Sequence, residues 1–445
     1  MARLSPEAGS THERLDRVFG DPLVDRLFPT LATGVHFGLD RMERALRSLG
    51  DPHRAYETIH VGGTNGKGSV TATVGSVLRA SGRKTACYTS PHLCSFRERL
   101  LIDGRPIGED EVETYADEVA ETITRFGLPF FEAVTLLAMH AFAREGVEVG
   151  VMEVGLGGRL DATNVVRPRV SAVTNVAMDH SDYLGDTLVA IAREKAGIMK
   201  PGIPFVTAET ADEILSLFRS LAGEVGAPIT VVPPVPGADV EVSQDHTWLR
   251  LDSPTWGELE LRTPLVGRHQ AANAALSVAV LGQLDEDLRP GRDALVRGVA
   301  EVVHPGRDEV LEARGRTWLF DVAHNTAGIL SLVDTIDRLE LPRPLVALVG
   351  VQGDKDWRTM LPALFSRMDA AILTQPPTVQ PSRRWDPATA ADQVEALTVV
   401  RVVPDFVEAV RKAEERAEGG TVVVTGSVHT VGSTMSLLGV DPYGR

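Results

Sequence analysis

The chain has 445 residues, 43% of them apolar and 24% charged, a globular composition and a length above what one hydrophobic core usually supports. Against 45 Lys and Arg stand 61 Asp and Glu, a formal net charge of −16, which argues against a general nucleic-acid partner. Two cysteines, Cys87 and Cys94, supply neither a disulfide framework nor a four-thiolate zinc site and fit a reducing compartment.

Met1 to Glu7 contains no apolar run of the kind a secretory signal needs. No later stretch reaches the roughly 18 uninterrupted apolar residues of a membrane span. The expectation is a cytoplasmic, monomeric protein with neither a membrane nor a nucleic acid as partner. Glu57-Thr-Ile-His-Val61 reads as a strand ending in Gly62-Gly63, and Lys67 to Ala80 as a helix with Val70, Val74, Val77 and Leu78 on one face. Lys84 to Tyr88 is the next strand. Val112, Tyr115, Val119, Ile123 and Phe126 form a second helical stripe, and Phe131 to Phe142 a third helix. Val147 to Met152 and Val170 to Thr174 are near-continuous apolar strands, as in a parallel sheet covered on both faces. Leu188 to Met199 reads as a further helix. The alternation predicts βαβ units and a parallel sheet.

Between Pro228 and Thr263 the texture changes to Pro-Pro and Pro-Gly pairs and short alternating runs, which predict appended antiparallel hairpins. A helix from His269 to Leu284 and a charged stretch from Asp285 to Arg292 follow, with the hinge placed between that stretch and His304. Strands at Trp318–Val322, Leu345–Val349, Ala370–Thr374 and Thr421–Thr425 then restart the alternation. The predicted division is 1–300 and 301–445. The first unit is an α/β phosphate-loop domain with a parallel sheet and a small hairpin appendage; the second is a smaller α/β, Rossmann-like domain.

Gly62-Gly-Thr-Asn-Gly-Lys-Gly-Ser69 follows a strand and opens a helix, the context of a phosphate-binding loop. In that reading Thr64, Asn65, Gly66, Lys67, Gly68 and Ser69 hold ATP. Backbone amides and the helix terminus face the phosphates, Lys67 neutralises them, and Ser69 is a magnesium ligand. The usual pattern has Lys directly before Ser or Thr, whereas Gly68 intervenes here. Glu153 ends a buried-looking strand before Gly155-Leu-Gly-Gly158, at the sheet edge where ligands bind, and a carboxylate with hydroxyls and phosphates suits magnesium.

The Gly-Lys-Gly-Ser variant resembles the ATP-dependent amide-bond ligases of the Mur ligase superfamily, and its continuation resembles their folate branch, the folylpolyglutamate and dihydrofolate synthases. The residues carrying the resemblance are Tyr88-Thr-Ser-Pro-His-Leu93, Arg97-Glu-Arg-Leu100, Met152 to Asn164, Asp179-His180, Glu194-Lys-Ala-Gly-Ile198, Gly267 to Asn273, His304-Pro-Gly-Arg307 and Phe320 to Asn325. They run in family order from about Gly38 to Ser427. The resemblance implies ATP, two magnesium ions and potassium. It implies Ser69, Ser90, Glu153 and His180 as metal ligands and Lys67, Lys195 and His180 as catalytic groups. Lys195 would be carbamylated, which needs a neutral amine and hence a depressed pKa. Phe131, Asp161 and Ala162 are implied at a pterin, with Ser90 to Arg99 a mobile loop over it. Asn273, Arg307, Asp321 and His324 are implied as ATP contacts from the hinge and second domain; an amide suits an adenine edge, Arg a phosphate and Asp a ribose hydroxyl.

The expected substrates are L-glutamate and dihydropteroate or a folate, joined through an acyl phosphate by an enzyme that performs both reactions. A monofunctional folylpolyglutamate synthase, a ligase of UDP-muramyl substrates and a non-ligase nucleotide-binding protein are the alternatives. Asp354-Lys-Asp356 also resembles a family motif. Lys355 there stands between a site near the incoming glutamate and an exposed ion pair. Cys87 and Cys94 are read as bystanders.

Overall fold

A computed structural model describes residues 22–27, 38–379, 383–394 and 397–444; the reading of Met1 to Glu7 lies outside them. Eight strands form the first sheet: β1 (Glu57–Gly62), β2 (Thr85–Tyr88), β3 (Leu100–Ile102), β4 (Arg105–Pro106), β5 (Val149–Glu153), β6 (Val170–Val173), β7 (Phe205–Thr207) and β8 (Ile229–Val231). Their order is β4-β3-β2-β5-β1-β6-β7-β8. All neighbours are parallel except the β2–β3 and β3–β4 pairs. The continuous apolar strands have the predicted cause. Val149 and Val151 face a core with Ile59, Val61 and Val70, while Met152 faces another with Tyr88 and Phe142.

The helices that frame the sheet include α1 (Lys67–Ala80), α2 (Glu109–Phe126), α3 (Phe130–Arg144), α4 (Leu188–Ala196), α5 (Arg268–Gly282) and α6 (Arg292–Ala300). Ala271, Ala274 and Ala275 of α5 and Leu295 and Val299 of α6 share the core that holds Val70, Val74 and Val77 of α1. At the α6 crossing, a side chain on Gly298 would run into the backbone of Val77. The predicted hinge segment therefore contains a helix packed on the first domain, which the charged composition before it concealed. The hairpin appendage is a three-stranded antiparallel sheet of β9 (Val240–Val242), β10 (Thr247–Ser253) and β11 (Gly257–Thr263), ordered β11-β10-β9.

The C-terminal domain is a six-stranded sheet of β12 (Glu309–Ala313), β13 (Arg316–Phe320), β14 (Leu345–Val349), β15 (Ala370–Leu373), β16 (Val399–Val402) and β17 (Thr421–Thr425). Its order is β12-β13-β17-β14-β15-β16, with only β12 antiparallel. Leu345, Ala347 and Val349 face one core and Val346 and Leu348 the other. Helices α7 (Thr326–Ile336), α8 (Trp357–Phe365) and α9 (Val428–Leu438) start from loops at the C-terminal ends of these strands. That end of the sheet faces the phosphate loop of the first domain. Among the described residues no helix is long and apolar enough to cross a membrane.

Candidate active site

The phosphate loop leaves β1 at Gly62 and enters α1 at Lys67. Its shape is set by the segment after β6. Asn65 N–H donates to Asn175 Oδ1 (3.0 Å), Asn175 Nδ2 and Thr174 Oγ1 donate to Asn65 O (3.1 and 2.6 Å), and Thr64 Oγ1 bonds the Ala177 backbone at both N–H and C=O. Gly63, at φ 139°, is forced by this stapling, because a side chain there would collide with Thr174 Oγ1. Lys67 Nζ folds back to donate to Thr64 O at 3.0 Å. Ser69 is buried in the first turn of the helix.

Gly68 has an equally local cause. A Cβ there would lie 2.6 Å from His304 Nε2, so the glycine that departs from the usual motif makes room for an imidazole reaching in from the hinge. His304 Nε2 in turn accepts from Arg307 Nε at 3.2 Å. Gly66 is held open in the same way by the Asn273 amide on α5, whose Nδ2 donates to Gln270 Oε1 at 2.9 Å. The turn is thus lined by Asn273 and by His304, with Arg307 behind it.

Glu153 ends β5 beside Gly68 and is 4% exposed. Its Oε2 accepts from the Ser90 N–H at 3.1 Å. Burial raises its pKa, against the opposing charge of Lys67. His180 sits in the left-handed region at φ 52°; burial lowers its pKa to about 4 despite Asp179, leaving a neutral imidazole able to donate a lone pair. Among the described residues no three His, Cys, Asp or Glu side chains form a metal cage. Ser69, Ser90 and Glu153 offer the hard oxygen donors that suit magnesium completed by phosphate oxygens and water, with His180 the ligand expected for a second ion.

Lys195, in the last turn of α4, is 4% exposed and donates from Nζ to Gly63 O at 2.9 Å. Burial, then repulsion from Lys67, brings its pKa down to about 7. A substantial neutral fraction at neutral pH is what attack on carbon dioxide requires.

The residues expected at a pterin differ in their surroundings. The Phe131 ring lies over Gly155, where a side chain would strike it, with its centroid 6.1 Å from that of Tyr88. Asp161 is buried and turned into its own loop: its oxygens accept from Leu156 N (2.8 Å), Thr163 N (3.0 Å) and Thr163 Oγ1 (2.5 Å). Ala162, also buried, begins the 3₁₀ turn that Asp161 caps. Asp161 and Ala162 therefore shape the loop after β5.

The loop from Ser90 to Arg99, expected to be mobile, is capped and anchored. Ser95 and Glu98 form a capping box on a 3₁₀ turn, Phe96 is fully buried, and the Glu98 carboxylate also accepts from the backbone of Leu93 and Cys94. The apolar periodicity is missing because side-chain caps and a single aromatic anchor hold the segment.

From the C-terminal domain, Asp321 accepts from the backbone of Asp308 (3.0 Å) and Ala323 (2.8 Å) and lies near Arg307, whose burial lowers its pKa against the pull of Asp321. His324 is half-exposed, its Nδ1 on Val322 O (2.9 Å) and its Nε2 3.4 Å from Asp179 Oδ2. Lys355 is not an exposed ion pair: Nζ donates to Asp179 Oδ1 at 2.6 Å with both side chains buried. Asp179 and His304 were carried by the sequence motifs without a role, and Asn325 closed one of them; their function depends on the neighbouring domain. The two cysteines are free.

Models of the Mur ligase middle domain and of the Mur ligase glutamate ligase domain match residues 61–281 and 306–428. A dihydrofolate synthase/folylpolyglutamate synthase of Mycobacterium tuberculosis is 34% identical over 94% of this chain and 93% of its own length. The chain belongs to the folylpolyglutamate synthase/dihydrofolate synthase family of Mur ligases. A probable bifunctional folylpolyglutamate synthase/dihydropteroate synthase of Haloferax volcanii is 36% identical over 92% of this chain, which spans about half (49%) of that relative. Among solved structures, the Mycobacterium tuberculosis folylpolyglutamate synthase complexed with ADP has a TM-score of 0.84 and 30% identity, covering 96% of this chain and all of that one. A bifunctional folylpolyglutamate synthase/dihydrofolate synthase with Mn, AMPPNP and L-glutamate bound has a TM-score of 0.77 and 31% identity, covering 91% and 95% of the two chains. The α/β phosphate-loop fold read from the sequence, with its separate C-terminal domain, is the fold of this family.

Proposed function

We propose that this family member is an ATP-dependent ligase that joins L-glutamate to the carboxylate of dihydropteroate and of a reduced folate. It would act as a cytoplasmic monomer divided near residues 300 and 301. The observation that carries the reading is the phosphate loop. It is stapled to the segment after β6 and tied to Lys195 through Gly63 O, with Glu153 and His304 beside Gly68, Arg307 bonded to His304, and His324 and Lys355 meeting Asp179 from the C-terminal side. Relatives of this fold bind ADP, and one binds AMPPNP, manganese and L-glutamate.

A carboxylate is a poor acylating agent because its leaving group would be oxide. Its oxygen attacks the γ-phosphorus of ATP, ADP departs, and an acyl phosphate forms. The glutamate amine then attacks the acyl carbon, phosphate leaves and the ammonium proton is lost. Catalysis of this kind is positioning and charge neutralisation. Thr64 to Ser69 and Lys67 would hold the triphosphate, with Asn273, Arg307, Asp321 and His324 completing the nucleotide site. Magnesium, held by Ser69, Ser90 and Glu153, with His180 on a second ion, would supply Lewis-acid stabilisation of phosphoryl charge. We assign two such ions, and carry potassium and the pterin contacts of Phe131, Asp161 and Ala162 as parts of the same reading. Lys195, carbamylated at Nζ with loss of one proton, would present an anion in place of a cation.

The deciding assay is purified protein with ATP, magnesium and radiolabelled L-glutamate, offered each acceptor in turn. Label is expected in an amide product with both acceptors, and Lys67→Ala is expected to abolish glutamate-dependent ADP release while the protein stays folded. Near-normal turnover of Lys67→Ala would remove the phosphate loop from the mechanism.

A further inference from the structure

Asp179 lies on the segment that staples the phosphate loop, yet its carboxylate is turned to the other domain. Oδ1 accepts from Lys355 Nζ at 2.6 Å, Oδ2 accepts from Asn325 Nδ2 at 3.1 Å, and His324 Nε2 stands 3.4 Å from Oδ2. These three donors come from two separate loops, one before α7 and one before α8. Asn325 makes a second link: its amide pairs reciprocally with that of Asn65 in the phosphate loop itself, at 3.0 and 3.3 Å. The same Asn325 caps α7 through Gly328 N–H at 2.8 Å, so the helix as a rigid body is tied to the contact. The Asp179 and Lys355 side chains are only 7% and 6% exposed. A buried pair severed at one side leaves an uncompensated charge, so its geometry is strongly enforced.

A continuous chain of hydrogen bonds thus runs from Asn65 of the phosphate loop through Asn325 to Asp179 and on to Lys355 in the loop before α8. We propose that Asp179 is a positioning residue that registers the C-terminal domain over the phosphate loop and so keeps the acyl phosphate from water. The proposal rests on the ligase reading given above. In the closed register the acyl carbon meets only the glutamate amine. With the register loosened, water attacks the same carbon, releasing phosphate and regenerating the acceptor carboxylate, so that ATP is consumed without amide.

The test measures ADP released per amide formed by the full-length protein with ATP, magnesium, acceptor and L-glutamate. The variants are Asp179→Asn, which keeps the shape and removes the charge, and Lys355→Met, which removes the partner from the opposite domain. Both are expected to raise the ratio about twofold or more through hydrolysis of the intermediate. The double variant is expected to be no worse than the poorer single one, as for two ends of one contact. A merely destabilising substitution would lower the active fraction and leave the ratio unchanged. An unchanged ratio in both folded variants, or losses that multiply in the double variant, overturns the proposal. Absence of glutamate-dependent turnover in the wild type would instead overturn the ligase reading.

Discussion

At the scale of single residues, the site is a set of glycines and charges each explained by one neighbour. Gly68 is the sharpest case. The added methyl of Gly68→Ala would lie 2.6 Å from His304 Nε2, 2.8 Å from Cε1 and 3.6 Å from Glu153 Oε2. Displacing His304 also removes the acceptor of Arg307 Nε. Binding of an unhydrolysable ATP analogue should weaken about tenfold, roughly 1.4 kcal/mol, with little change in the thermal midpoint. Calorimetry finding wild-type affinity would show that the imidazole yields freely. Lys195 makes a second prediction. Its pKa in the folded protein is lowered to about 7, chiefly by burial. Below that value both folded and unfolded chains hold the proton, and the burial penalty is fully present. As pH rises from about 7 toward the ordinary lysine value, the unfolded chain alone stays protonated, so stability increases. The same neutral amine is the form that takes up carbon dioxide. Removing bicarbonate should therefore depress turnover, and readdition should restore it more completely at pH 8 than at pH 6. Identical recovery at both pH values would dissociate Lys195 from the effect.

At the scale of elements, the Ser90–Arg99 segment tests the distinction between a loop without secondary structure and a mobile one. Phe96 is fully buried in the core that also contains Tyr88 and Leu100, and its imidazole neighbour His92 lies edge-on at 6.3 Å. Phe96→Ala should lower unfolding stability by about 3–5 kcal/mol and raise KM for the acceptor. Denaturant unfolding with an unchanged midpoint would mean that the segment detaches without consequence. Much of this was legible in the residues: the covered strands β5, β6 and β14 are apolar on both faces, and α1 shows its stripe. Ser95-x-x-Glu98 was also readable as a capping box, but without apolar periodicity around it the signal passed for a loop. Strands β3 and β4 were too short to carry a pattern, and α6 follows a charged stretch that masked its apolar face. Lys67, Glu153, His180 and Lys195 stand out as candidates because local motifs carry them. Asp179, Asn325, His304 and Lys355 act across the domain boundary, where no spacing in one chain segment reports the partner.

At the scale of the whole molecule, a chain of net charge −16 gathers Lys67, Lys355 and Arg307 in one cleft between two domains. Every substrate in the proposed reaction is anionic, so local cations must outweigh an unfavourable overall field. Those cations are complete only when the C-terminal domain is seated, and a second contact, on other residues than Asp179, also seats it. Leu93, in the Ser90–Arg99 loop, reaches the C-terminal domain. Its side chain lies against Gly306, its backbone against Gly432 of α9, and the adjacent Cys94 Sγ is 3.5 Å from Gly432 O. A methyl on Gly432 would run into the Leu93 carbonyl and, as its nearest neighbours, only atoms of Leu93. Gly432→Ala should therefore leave each domain folded, since alanine also favours the helix over glycine by about 1 kcal/mol, while pushing the domains apart. With an ATP analogue and acceptor bound, small-angle scattering should give a larger radius of gyration for the variant than for the wild type. Turnover should fall together with that change. If the liganded variant is as compact as the wild type and equally active, the Leu93 contact is packing without consequence, and closure depends on the phosphate-loop side of the cleft alone.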